Sequence, residues 1–129
     1  MSGERYGADF IDAALSAASD VTDIVSDSIY EGNKVPAIDT STETINYYRT
    51  GPYNGGLDYF ESRFSVDCRA ADYITSRNLA TAAFIALNRE LGNANGKRYF
   101  AVCNILTTIP PVNDTDVYNT PVEVYLRRR

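Results

Sequence analysis

Across residues 62–92 two different hydrophobic periods follow one another almost without a break. Phe64, Val66, Cys68 and Ala70 alternate with Arg63, Ser65, Asp67 and Arg69. A period of two is what a strand shows when one face is buried and the other meets water. The alanine-rich stretch that follows predicts a helix over residues 72–91, with Ala80, Ala83, Phe84, Leu87 and Leu91 as its apolar positions. Gly92 comes directly after, a residue suited to the left-handed turn that ends many helices. One sheet face covered by one helix is the architecture this segment implies.

The flanking segments extend it. Phe10, Ile11, Ala14, Leu15 and Ala18 repeat at helical spacing and predict a first helix over residues 6–18. Ser19 or Asp20 can cap a second short turn that runs to Val25, with Val21, Ile24 and Val25 turned inward. Ser28-Ile29-Tyr30-Glu31 reads as a short strand, and residues 34–42, with Pro36, as a loop. Thr44-Ile45-Asn46-Tyr47-Tyr48-Arg49 is rich in residues that fit a pleated surface. The turn-forming run Gly51-Pro52-Tyr53-Asn54-Gly55-Gly56 joins it to the strand over residues 59–70 as an antiparallel hairpin. After the long helix, residues 93–96 form a turn, residues 98–109 a strand ended by Pro110-Pro111, and residues 112–120 a polar connection. Val122, Val124 and Leu126 alternate in a last strand. The expected fold is α+β, an antiparallel or mixed β-sheet with two main helices packed on one face. At 129 residues the expectation is one domain over residues 1–129, since two independent cores would each be small.

Composition narrows the function classes. A formal net charge of −5 argues against a nucleic-acid reader, whose affinity comes mainly from neutralising phosphates. The basic run Arg127-Arg128-Arg129 is either a solvated tail or a grip for an acidic neighbour. Ten tyrosines against five phenylalanines fit a tyrosine-rich sheet, and equally a surface that meets partners. Cys68 and Cys103 both fall in strand-like runs, where a free cysteine behaves as a small buried apolar residue. Residues 1–5 lack the apolar core of a signal peptide, and no apolar run approaches the roughly 20 residues of a membrane span. A reducing, aqueous compartment is expected.

The chemistry is thin. With no histidine, neither a Ser-His-Asp nor a Cys-His arrangement can exist, nor an imidazole metal site. Two cysteines a whole helix apart do not have the paired spacing of structural zinc. Asp20, Asp23 and Asp27, and the close pair Asp114 and Asp116, lack the ligand pattern of a calcium loop. The glycines at 51, 55 and 56 are not followed by the lysine and hydroxyl residue of a phosphate-binding loop. No catalytic residue, cofactor or metal is expected. A small enzyme working through carboxylates or tyrosine is the alternative from a different class.

In their order and local signatures, these elements resemble the tail terminator, or tail completion, proteins of long-tailed bacteriophages. The resemblance is carried by the first helix with Phe10, Ala14 and Leu15, the turn Asp20-Val21-Thr22-Asp23-Ile24-Val25, and the strand Ser28-Ile29-Tyr30. It continues through the loop at Pro36, the strand Thr44-Ile45-Asn46-Tyr47, and Arg63-Phe64-Ser65-Val66-Asp67-Cys68 leading into the long helix. It covers nearly the whole chain as a pattern of order, with residues 50–58 and 110–120 specific to this chain. The resemblance implies a structural virion protein with no cofactor, made in the host cytoplasm and placed at the head-proximal end of the tail. Such subunits close into a hexameric ring that caps the tail tube, stops its elongation and offers the head-joining surface. The implied partners are copies of itself, the tail tube protein and head-tail connector proteins. DNA passes through the lumen unread, which agrees with an acidic subunit, and no membrane is involved. Another head-to-tail connector or a tube-like ring subunit is the near alternative.

A cyclic ring needs two different complementary patches on each subunit. The candidates are Arg63, Asp67 and Arg69, a mixed-charge row on the strand face opposite Phe64 and Val66. Tyr53 joins them, at the head of a loop that can reach an adjacent ring.

Overall fold

The alternation over residues 62–70 folds as that pattern requires: Phe64, Val66, Cys68 and Ala70 are all buried. The computed structural model describes residues 7–32, 42–51, 61–94, 96–111 and 117–128. Within them lie α1 (Ala8–Ala17), α2 (Ser19–Val25), β1 (Ile29–Glu31), β2 (Thr44–Gly51), β3 (Glu61–Ala70), α3 (Tyr73–Leu87), β4 (Leu91–Ala94), β5 (Lys97–Ile105) and β6 (Tyr118–Arg128). The strands form one mixed sheet in the order β1-β2-β3-β6-β5-β4. β1 runs parallel to β2 and every other pair is antiparallel, with β2 and β3 joined as the expected hairpin.

Register aligns the inward positions across the sheet. Tyr47 lies opposite Val66, which lies opposite Val122, which lies opposite Ile105. Phe64, Val124 and Cys103 form the neighbouring row, and Leu126 with Ala101 the next. Against this face pack Leu79, Ala80, Ala83 and Leu87 of α3 and Phe10, Ile11 and Leu15 of α1, and Val21 and Val25 of α2 join the same core from the helix side. Both main helices thus cover one face of the sheet, as the pattern predicts. The start of α1 is fixed by Gly7, held at φ 96°, because a Cβ there would run into Leu126.

The helix ends are where structure and expectation part. α3 begins as expected, its N-cap Asp72 accepting hydrogen bonds from the Thr75 amide (2.8 Å) and hydroxyl (2.9 Å), which hold its carboxyl below the usual range. It ends at Leu87, not Leu91. Asn88 Oδ1 accepts from the amide of Cys103 at 2.9 Å, and the Arg89 amide donates to the Ala101 carbonyl at 2.7 Å. These bonds tie the chain to β5 a turn early, with Arg89 in the left-handed region at φ 63°. Leu91 is therefore an exposed residue of β4, at 57 % exposure, rather than a core position. Gly92 does not terminate the helix. It lies in β4 where a Cβ would come within 3.0 Å of the Phe10 ring, so it makes room for α1. α2 likewise begins without a side-chain cap; Ala18, not Ser19 or Asp20, is its N-cap.

β5 stops pairing regularly at Ile105, short of the expected Ile109. Ile109 rejoins β6 through an isolated bridge to Asn119. Three residues, 106–108, thus face two on β6, the signature of a bulge. The Leu106 amide donates to the Pro121 carbonyl at 2.9 Å. N–H and C=O of one strand residue point to the same side, so the N–H that Pro121 lacks falls beside the bulge. This is how a proline fits a central strand.

Under the bulge runs a chain of hydroxyls. Ser76 Oγ donates to the Cys68 carbonyl at 2.8 Å and lies 2.8 Å from Thr120 Oγ1, itself 2.8 Å from Thr108 Oγ1. Since each hydroxyl has one proton, Thr120 donates to Ser76 and Thr108 to Thr120. Arg77 Nη1 donates to Thr108 at 3.5 Å and closes the series.

Leu87 is fully buried at the helix end. Leu87→Ala is expected to cost about 2–5 kcal/mol, read as a lower urea midpoint with an unchanged slope. Leu87→Asp is expected to leave no cooperative unfolding transition, because it buries an unpaired charge.

Candidate functional site

Strand alternation puts the polar positions of β2, β3, β5 and β6 on the sheet face opposite the helices. The bulge at residues 106–108 raises Leu106 and Ile109 on the edge of this face. Together with Tyr48, Arg63, Asp67, Pro121 and Glu123 they enclose a hollow of about 320 Å³. A second hollow, about 240 Å³, lies further along β5 and β6 between Phe100, Val102, Tyr125 and Arg127.

All three described members of the expected row, Arg63, Asp67 and Arg69, stand on this outer face. Asp67 is nevertheless the most buried of them, with a side chain 6 % exposed against 44 % for Arg63 and 30 % for Arg69. The reason is lateral. Its neighbours in register are Asn46 and Pro121, and its carboxylate accepts from Tyr48 Oη at 3.1 Å and Ser65 Oγ at 2.8 Å. Arg69 Nη2 lies 3.8 Å away. Partial burial and then the Asp67 charge push the Tyr48 phenol above its ordinary value. Arg63 reaches Glu123 at 4.0 Å and lies 5.9 Å from the centre of the Tyr125 ring. Tyr125 Oη donates to Glu123 at 2.9 Å. Tyr53 lies outside the described residues, as do Asp114 and Asp116.

Periodicity finds the face of Asp67 and puts Ser65, two residues before it on β3, beside it, but not Tyr48, which meets it from β2. Asn119 also lines the larger hollow. Its Oδ1 is buried and has no hydrogen-bond partner among the described residues, and no local signal marks it.

Little here points to catalysis. The Asp67 carboxylate is engaged by two hydroxyls and a guanidinium. Asp20, Asp23 and Asp27 are exposed around α2, and among the described residues no three His, Cys, Asp or Glu side chains gather as a metal site. Cys68 and Cys103 are free and buried. Burial and then the Asp67 charge push the Cys68 thiol far up, and burial raises Cys103 to about 12. Neither is a thiolate nucleophile near neutral pH. What the face offers instead is contact area: hollows, arginines and aromatics.

No family model and no curated protein matches the chain. The fold does have a counterpart among solved structures. A chain from the virion of a native gene transfer agent (GTA) particle superimposes with a TM-score of 0.69 at 16 % identity, covering 92 % of this chain and 90 % of that one. At that identity the likeness is one of fold.

Asp67→Ala is expected to destabilise by about 1–3 kcal/mol in urea unfolding, because the hydroxyls of Tyr48 and Ser65 lose their acceptor. The thiols give a pH dependence. Both pKa values lie above the 9.0 of a free thiol, so the unfolded chain loses protons first and stability falls as pH rises past 9. The Cys103 contribution is lost progressively up to about pH 12, where its folded thiol ionises. A Cys68→Ala/Cys103→Ala protein is expected to show a shallower fall in urea midpoint between pH 9 and 10 than the parent.

Proposed function

We propose that this chain is a structural virion protein, a tail terminator whose subunits close into a six-membered ring on the last ring of a tail tube. The observation that carries the reading is the fold likeness to a virion chain over nine-tenths of both proteins. The resemblance in element order to tail terminators supports it, as does an outer face that offers hollows and charge. In this role the ring stops tube elongation and presents its free face to head-tail connector proteins. DNA crosses the lumen without being read, and an acidic subunit keeps the duplex from adhering.

Of the residues expected at the subunit contact, Arg63 and Arg69 remain reachable by a neighbour. Asp67 acts through Arg69 by holding its guanidinium in place. Tyr53 is assigned to contact with the adjoining ring. No cofactor takes part.

The test is mass in solution over a wide concentration range, with negative-stain electron microscopy of the same sample, alone and with tube subunits. Closed sixfold rings, or tubes capped at one end and halted in growth, are the expected result. Long self-stacked tubes would identify a tube protein instead. A monomer that leaves tube growth unchanged would refute the reading.

A further inference from the structure

The net charge of −5 conceals a strong separation of charge. Residues 8–27, which form α1, α2 and the turn after them, contain five aspartates and no lysine or arginine. β3, β5 and β6 together contain six basic residues and three acidic ones, a net of +3. The two groups lie on opposite sides of the subunit. α1 and α3 pack on the inner face of the sheet and α2 packs on both of them, leaving Asp20, Asp23 and Asp27 exposed. Arg63, Arg98 and Arg127 stand on the outer face, opposite the buried Tyr99, Ala101, Val124 and Leu126.

Around the smaller outer hollow this charge meets apolar surface. Val102 lies across from Tyr125, and Tyr125 across from Arg63. Phe100 lies across from Arg127. Val102 is 47 % exposed on a strand face that no described element covers. An apolar floor with an arginine rim suits a contact that loses water at its centre and keeps charge pairs at its edge.

We propose that the hollow of Phe100, Val102, Tyr125 and Arg127 is the socket for the aspartate-bearing α1–α2 corner of a second copy of this chain. The choice of partner rests on charge complementarity. This chain carries the matching acidic surface itself, on the side of the subunit that cannot fold back to meet the socket. A contact between two different patches is head-to-tail and leaves each copy with one free socket and one free corner, so it propagates or closes into a ring. Nucleic acid is the weaker occupant, since a net of +3 over the outer strands is small for neutralising phosphates and the whole chain carries −5. The contact stands whether or not the assembly is a tail terminator.

The experiment is sedimentation velocity of four proteins at low and physiological ionic strength, with circular dichroism confirming each fold. They are the wild type, Asp20→Lys/Asp23→Lys, Arg98→Glu/Arg127→Glu, and all four substitutions in one chain. The wild type is expected to self-associate, more strongly at low salt because rim charges are screened beyond a Debye length of about 8 Å in physiological salt. Each double variant is expected to weaken association roughly tenfold or more, the order of one lost close charge pair. The fourfold variant, with its charges exchanged, is expected to recover it. If Arg98→Glu/Arg127→Glu does not fold, Arg98→Gln/Arg127→Gln takes its place.

Double variants that associate like the wild type, a fourfold variant that stays dissociated, or a wild type monomeric to millimolar concentration would each overturn the socket. So would duplex DNA binding that Arg98→Glu/Arg127→Glu abolishes while self-association is unchanged. Sixfold rings formed equally well by Arg98→Glu/Arg127→Glu would remove the socket and leave the terminator reading standing. Salt-sensitive, charge-swappable association into open filaments, or into rings of another number, would do the reverse.

Discussion

The ladder between β3 and β6 is the constraint on which the other elements depend. It runs from Glu61 opposite Arg127 to Ala70 opposite Tyr118 and joins segments about fifty residues apart. Everything between them, α3, β4 and β5, is a connection that must return β6 to the middle of the sheet. The loop-closure cost of such a pairing is compensated only when Phe64, Val66, Val122 and Val124 meet under the helices. Strand pairing and core formation are therefore one event here. The proline within β6 is tolerated because β5 leaves the ladder where its N–H would be needed.

Apart from the oxygens of Asn46 and Asn119, the described buried polar side chains discussed above are paired within short reach. The hydroxyl series from Ser76 to Thr108 links the first turn of α3 to β3, β6 and the bulge without any charge in the core. Such a series is directional, each hydroxyl giving its one proton onward, so it fixes the bulge as well as satisfying it. On the other face Asp67 plays the corresponding part, tying β3 to β2 through Tyr48 and accepting a second bond from Ser65 on its own strand.

An enzyme concentrates unsatisfied, perturbed groups in one concave site. Among the described residues the perturbed groups are two buried thiols, the half-buried Tyr48 and the helix-capping Asp72; Asp67 raises both Tyr48 and Cys68, and Asp72 lies apart at the start of α3. The features left over are arginines, aromatics and hollows on one side and aspartates on the other. The fold itself is shared with a chain of a virion particle.

Much of this was legible in the chain. Alternation at residues 62–70 and 122–126 determined two strands and their buried faces, and the helical spacing of Phe10, Ile11 and Leu15 determined α1. These patterns are local, set by which side of an element meets water. The absence of histidine likewise removed whole classes of chemistry without any coordinates. Tertiary structure decided where α3 stops, because the bonds of Asn88 and Arg89 go to β5, a partner that helix periodicity does not specify. It decided that Gly92 serves Phe10 rather than a helix end, and that Asp67 is buried though it stands on the polar face. It alone placed Asp20, Asp23 and Asp27 and the arginines of the outer face on opposite sides of the protein. Those outcomes depend on cross-strand register and on which elements become neighbours, and neither is written in the spacing of any single segment.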